Sequence, residues 1–190
     1  AQGGLVVLPT DTVYGLAANA NLESALRRVF AIKQRPGDNP LPILLADADD
    51  ITRAAVEIPA LAHELAARFW PGPLTIVLRK SSSVSDLVTA GQPTVGLRVP
   101  DHSLARSVLR YCDFPVAVTS ANLSGEPAAT TPEQVCATLS EQVDLLIDDG
   151  PCAGGAPSTV LDLAGARPRV VRDGPVSQQD LEAVIGPIAD

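Results

Sequence analysis

Lys33 and Arg35 stand two residues apart in the stretch KQRPGDNP, where an apolar pattern of helical spacing runs out. An ammonium is a compact point charge and a guanidinium a planar fork, so the two are complementary ligands for phosphate oxygens. The same cations also suit the negative end of a helix dipole, with proline stopping the helix, and spacing alone leaves both readings open. Three further stretches add polar groups: Val7 and Leu8 run into PTDTVYG, Ala117 and Val118 run into TSANLSG, and GPCAGGAPST leads into VLDL. Short hydroxyl, amide and glycine residues at the ends of apolar strands are where open α/β sheets hold ligands, and they are also ordinary turn residues.

The chemistry open to such a site is bounded by what is missing. The chain carries no G-x-x-x-x-G-K-[ST] phosphate loop, no G-x-G-x-x-G fingerprint and no G-x-S-x-G elbow. His63, mid-helix among Ala and Leu, and His102, placed after VPD to cap a helix, are the only imidazoles, which leaves a Ser-His-Asp triad without support. Cys112, Cys136 and Cys152 are widely spaced with no histidine at ligand spacing, so they read as structural thiols and no metal site is expected. A donor-rich pocket with a few fixed cations and no nucleophile suits adenylyl or phosphoryl transfer, in which the reactants bring the nucleophile and the protein supplies position and charge.

The net charge of −8 argues against a broad nucleic-acid-binding face. From Tyr111 to Ala166 there is no Lys or Arg, so an anion site must draw on Lys33, Arg35, Arg98 and the segment from Arg167 to Arg172. Aromatic residues make up 3% of the chain against 46% hydrophobic in all, which points to an aliphatic α/β core rather than an aromatic ligand cage. No apolar run approaches the ~20 residues needed to cross a bilayer and no signal pattern opens the chain, so a soluble cytoplasmic protein is expected. With no methionine anywhere, even at position 1, the native start is expected to precede Ala1.

The elements that position these groups follow from periodicity. GLVVLP at 4–9 reads as a buried strand, with TDTVYG as the loop after it. From Leu22, apolar residues at 22, 25, 26, 29, 30 and 32 recur at helical spacing, Asn21 is placed to cap the start, and this helix delivers Lys33 and Arg35 at its far end. PILLA at 42–46 reads as a strand followed by two helices, the second with Pro59 near its first turn and LAHELAARF as its body. LTIVLR at 74–79 and TVGLRVP at 94–100 read as strands either side of a Ser-rich loop, and a helix runs from about His102 to Arg110. PVAVTSAN begins as a buried strand, after which TPEQ offers Thr131 as cap, Pro132 in the first turn and Gln134 as reciprocal partner. Strands at 144–148, 158–163 and 169–172 and a last helix from Ser177 complete the chain. Several strands follow one another without a helix between them, so residues 1–190 read as one α/β domain on a mixed sheet.

The motifs PTDTVYGLA, KQRPGDNPL, WPGPLT, VGLRVPDH, TSANLSG and PSTVLDL, in this order, closely resemble the Sua5/YrdC family of threonylcarbamoyl-AMP synthases, from Leu5 to about Ser177. Its KxR and SxN pairs fall on Lys33 with Arg35 and Ser120 with Asn122. The resemblance implies a YrdC-like twisted open sheet with a large concave cavity. It also implies a reaction of L-threonine, bicarbonate and ATP, with Mg2+, to L-threonylcarbamoyladenylate and pyrophosphate. By the same resemblance the adenylate goes to a separate transferase that modifies adenosine beside the anticodon of certain tRNAs.

Carried over by motif, Thr12, Arg98, Thr119 and Ser158 are expected to hold threonine, with Arg98 as carboxylate clamp. Lys33, Arg35, Asn39, Ser120, Asn122 and Arg172, with Thr94 as a further contact, are expected around ATP, Lys33 and Arg35 offsetting charge on the departing pyrophosphate. Some members carry a histidine after NPL where this chain has Leu44, and the chain resembles the short form that lacks a second C-terminal domain. Two other readings remain at this point: an RNA- or tRNA-binding module of the same fold, and the carbamoyl-adenylate chemistry of hydrogenase-maturation carbamoyltransferases. The acidic balance weighs against the first, and the lack of acylphosphatase and zinc-finger segments against the second.

Overall fold

Val6–Leu8 forms β1, an apolar run paired on both sides, antiparallel to β2 (Gly15–Asn19) and parallel to β7 (Leu145–Leu146). β2 is a strand that the sequence pattern does not announce. Gly-Leu-Ala-Ala-Asn has neither β-branched residues nor alternation, and pairing with β1 and with β6 (Val116–Ser120) makes it extended. The other strands are β3 (Ile43–Leu44), β4 (Leu74–Arg79), β5 (Thr94–Arg98), β8 (Thr159–Asp162) and β9 (Arg169–Arg172). A computed structural model describes residues 2–139 and 141–188 and joins these strands in one mixed sheet of order β7-β1-β2-β6-β3-β5-β4-β8-β9.

The helices are α1 (Glu23–Lys33), α2 (Ala60–Phe69), α3 (Asp86–Thr89), α4 (Ser103–Tyr111), α5 (Pro132–Leu139) and α6 (Gln178–Ile185), with a 3-10 turn over Ala48–Arg53. Asn21 does not cap α1: the helix begins at Glu23, so Leu22 occupies the cap position without a side-chain bond, and the Asn21 N–H is instead bound by the Asn19 side chain at 2.8 Å. His102 does begin α4, its ring accepting the Ala105 N–H at 3.5 Å, and Thr131 and Gln134 make the reciprocal bonds expected ahead of α5. The Ser-rich loop contains α3, capped by Ser85, which four residues of sequence were too short to signal.

The two faces of the sheet are treated differently. One buries Leu74, Ile76, Leu78, Val95, Leu97 and Leu161 against α1, α2, α3, α5 and α6 in the main core. On the other face α4 seals only one side, where Ala105 and Leu109 pack on Leu8, Ala17, Leu44, Val116 and Val118. Beyond that patch the alternate residues of β4, β5 and β8 line a concavity of about 600 Å³. Among the described residues no helix is long and apolar enough to cross a membrane.

Candidate functional site

The concavity is built by strand alternation. On β5, Val95 and Leu97 enter the core while Thr94, Gly96 and Arg98 face the hollow; on β4 the hollow receives Thr75 and Val77, and on β8 Val160 and Asp162. Sequence reasoning placed the site at strand ends, whereas it extends across the open face of the sheet. Gly96 keeps the floor deep, since a Cβ there would meet Thr75 at 3.2 Å.

Nine of the eleven expected residues line this hollow: Thr12, Arg35, Asn39, Thr94, Arg98, Thr119, Ser120, Ser158 and Arg172. Lys33 and Asn122 do not. The reason lies at the end of α1, where Gln34 adopts a left-handed conformation (φ 49°) and the N–H groups of Gln34 and Arg35 fold back onto Ala31 and Phe30. This turn sends the two cations to different places. Arg35 reaches the hollow, and Lys33, 1% exposed, runs beneath it. There its ammonium donates to the Ser120 carbonyl at 2.5 Å, the Asn122 carbonyl at 2.6 Å and the Asn122 amide oxygen at 3.3 Å. Those three oxygens use its three protons and offset a burial that would otherwise cost several kcal/mol. Burial, and next the charge of Arg35, lower its pKa to about 8.

At one end of the hollow Arg98 is 6% exposed and fully oriented. Its Nε donates to the Gly72 carbonyl (2.9 Å), Nη1 to the Thr12 hydroxyl (2.9 Å) and Nη2 to the Asp11 carboxylate (2.5 Å). Thr12 accepts from Arg98, so its own proton goes to the Thr10 hydroxyl 2.9 Å away, and Thr10 in turn donates to the Val13 carbonyl at 2.6 Å. The chain of donors therefore has one direction, and it leaves one N–H on each of Nη1 and Nη2 for a ligand. The loop over Asp11 comes so close that Gly154 has no room for a side chain: a Cβ would lie 2.5 Å from the Asp11 carbonyl.

Arg35 and Arg172 are held another way. Arg35 donates from Nε and Nη2 to the Asn39 carbonyl (3.0 Å), the Asn39 side chain (2.7 Å) and the Pro40 carbonyl (2.9 Å). Arg172 donates from the same two nitrogens to the Ser158 carbonyl at 3.1 and 2.7 Å and to its hydroxyl at 3.2 Å. Every one of these partners is neutral, and among the described residues Nη1 of each arginine has no partner. The pKa values of Arg35, Arg98 and Arg172 all lie below the usual arginine range, in each case first through burial; the positive charge of Arg172 adds to the lowering at Arg35 and Arg98. Burial is thus the main cause, and the charge of Arg172 felt at Arg35 and Arg98 adds a repulsion that an anion would relieve.

Asp11, Thr75 and Asp162 were missed by sequence reasoning. Asp11 lies inside a motif already singled out, and an acid beside an expected cation was the available signal. Thr75, whose hydroxyl is 2.8 Å from that of Ser158, is a polar residue breaking an otherwise apolar LTIVLR strand. Among the described residues no cluster of His, Cys, Asp and Glu could hold a metal, and the three cysteines are free.

A family model described as telomere recombination, covering Sua5, YciO and YrdC proteins, matches residues 1–174. A threonylcarbamoyl-AMP synthase of Pyrococcus abyssi is 43% identical over 98% of this chain and 55% of its own length. One of Bacillus subtilis is 43% identical over 98% of this chain and 54% of its own. The solved structure of P. abyssi Sua5 complexed with L-threonine superimposes with a TM-score of 0.95, covering 98% of this chain and 55% of that one at 43% identity. The chain thus spans about half the length of these relatives. With its open-faced mixed sheet and the matched residues 1–174, the chain belongs to the Sua5/YciO/YrdC family.

Proposed function

We propose that this chain is a threonylcarbamoyl-AMP synthase unit, a nucleotidyltransferase that takes L-threonine, bicarbonate and ATP to L-threonylcarbamoyladenylate and pyrophosphate. The observation that carries the reading is the pair Arg35 and Arg172. Each is fixed by neutral oxygens, each has Nη1 uncommitted among the described residues, and both face the hollow that contains Arg98. Two oriented charges without carboxylate partners suit a polyphosphate, and the paired, buried Arg98 suits an amino-acid carboxylate.

In this reading Thr12, Arg98, Thr119 and Ser158 hold threonine, and Arg35, Asn39, Thr94, Ser120 and Arg172 surround ATP. The amine of threonine attacks the bicarbonate carbon, water leaves, and the resulting carbamate oxygen attacks the α-phosphorus as pyrophosphate departs. Both nucleophiles come from substrates, so the reaction needs no activated Ser, Cys or His from the protein. Arg35 and Arg172 offset the charge growing on pyrophosphate, an electrostatic effect worth about 3 kcal/mol per well-placed donor. Lys33 and Asn122 act from beneath by fixing the Ser120 main chain. Mg2+ comes with the substrate as Mg-ATP, since the described residues of the hollow offer no carboxylate cluster and magnesium is commonly carried on substrate phosphates. The adenylate then serves a separate transferase that modifies tRNA, in the cytoplasm.

The test is pyrophosphate release from ATP. It is expected to require both threonine and bicarbonate; release that ignores threonine would refute the reading.

A further inference from the structure

Asp162 is an acid in a hollow whose other charged lining residues are Arg35, Arg98, Arg169 and Arg172. It faces the hollow from the end of β8, half-buried, beside Val77 of β4 and opposite Arg169 of β9. One carboxylate oxygen serves the backbone, since Oδ1 accepts the Ala164 N–H at 2.9 Å and shapes the turn that leads to β9. The other does not. Oδ2 has as its charged neighbour Arg169 at 3.6 Å, whose side chain is 70% exposed, a loose pair that water competes with. A carboxylate there repels phosphate, so the hollow must present something else to it.

The order of groups along the wall says what. Ser158 immediately precedes β8 and stands with the amino-acid residues, Val160 is paired with Arg172, and Asp162 comes two residues further, about 7 Å along the strand. Threonine, phosphate and nucleoside must follow one another in the proposed product, so the group beyond the phosphates at Asp162 is the nucleoside. That is a neutral moiety with hydroxyl and amine hydrogen-bond donors. We propose that Asp162 Oδ2 is a specificity-determining acceptor for a neutral donor of the nucleoside, a ribose hydroxyl or the 6-amino group of the base. The inference rests on the proposed synthase reading and adds a residue to it. Repulsion keeps the triphosphate against Arg35 and Arg172, and acceptance fixes the sugar and base in register.

The experiment is direct binding of Mg-ATP, Mg-2′-deoxyATP, Mg-3′-deoxyATP and the triphosphate of purine riboside, which lacks the 6-amino group, to wild type, Asp162→Asn and Arg169→Ala. Asn keeps the Oδ1 acceptor for the turn and replaces Oδ2 by a donor, and an unchanged melting temperature checks the fold. Wild type is expected to bind ATP roughly ten- to hundredfold more tightly than one of the three analogues, the analogue that fails naming the donor, and Asp162→Asn is expected to weaken ATP by the same factor while binding that analogue as wild type does. Arg169→Ala is expected to keep the discrimination. Wild type that binds ATP but treats all four nucleotides alike, or Asp162→Asn that binds ATP as wild type does, would overturn this inference and leave the synthase reading standing. Failure of wild type to bind ATP would remove both.

Discussion

The two ends of the hollow solve the problem of holding an arginine in opposite ways. At the Arg98 end the guanidinium is 6% exposed, tied to a carboxylate, a hydroxyl and a carbonyl, and the Asp11 charge cancels its own. At the Arg35 and Arg172 end the guanidiniums are tied only to neutral oxygens and lie near each other, so positive charge is left over. A charge-balanced end can take a zwitterion without changing its own sum. An uncompensated end is stabilised only when an anion arrives, and it therefore discriminates by charge. Rigidity is common to both, and net charge separates them.

The comparison breaks most visibly if the uncompensated charges are removed. Arg35→Ala or Arg172→Ala is expected to lower threonine-dependent pyrophosphate release by about a hundred- to a thousandfold, the range for losing one oriented donor to developing charge. Melting temperature is expected to hold, because each arginine bonds only within its own neighbourhood. Parallel measurement of threonine affinity sharpens the contrast for Arg35→Ala, where it is expected to stay within about threefold of wild type, whereas Arg172→Ala also releases Ser158 and is expected to weaken threonine somewhat more. If threonine affinity falls as far as turnover does, the two ends are not separate.

Lys33 gives the next effect, on stability rather than turnover. Its folded pKa of about 8 lies below the ordinary 10.5. Below pH 8 the ammonium is protonated in both states and its burial costs stability. Between 8 and 10.5 the native state releases the proton first, so stability rises with pH; above that window both states are neutral. Chemical denaturation from pH 7 to 11, taken as the difference between wild type and Lys33→Met, is expected to show a rise of up to ~3 kcal/mol across the window. A flat difference curve would mean that the three oxygens hold the proton as firmly as water does.

The same residue shows where sequence reasoning stops. Lys33 and Arg35 are adjacent in motif, and the expectation treated them as one phosphate grip. The left-handed residue between them turns one under the floor and the other into the hollow. Gln34 carries no mark of that conformation, since a positive φ in a residue other than glycine is set by the helix end around it. β2 escaped detection for a related reason: small residues become a strand through their neighbours. By contrast β4, β5 and the start of α5 were legible because short apolar, β-branched runs and the capping box are local signals. Nine of the eleven residues that the motifs singled out line the hollow, while Asp11 and Asp162 went unnoticed because what each does depends on the groups that the fold sets around it.

Asp11 yields the smallest effect and the closest test of charge balance. Asp11→Ala removes both the charge and the oxygen that accepts from Arg98 Nη2 and from the Asp101 N–H. Arg98 is then free to turn, and KM for threonine is expected to rise about tenfold while KM for ATP holds. Asp11→Asn keeps an oxygen in the same place and loses only the charge, so the orientation of Arg98 survives and threonine KM is expected to stay within about threefold of wild type. The amino-acid end then carries a net positive charge, and inorganic phosphate is expected to compete with threonine in this variant and not in wild type. Equal behaviour of the two variants would show that Asp11 acts through its charge alone, because the oxygen that Asn retains for Arg98 and for the Asp101 N–H would then contribute nothing.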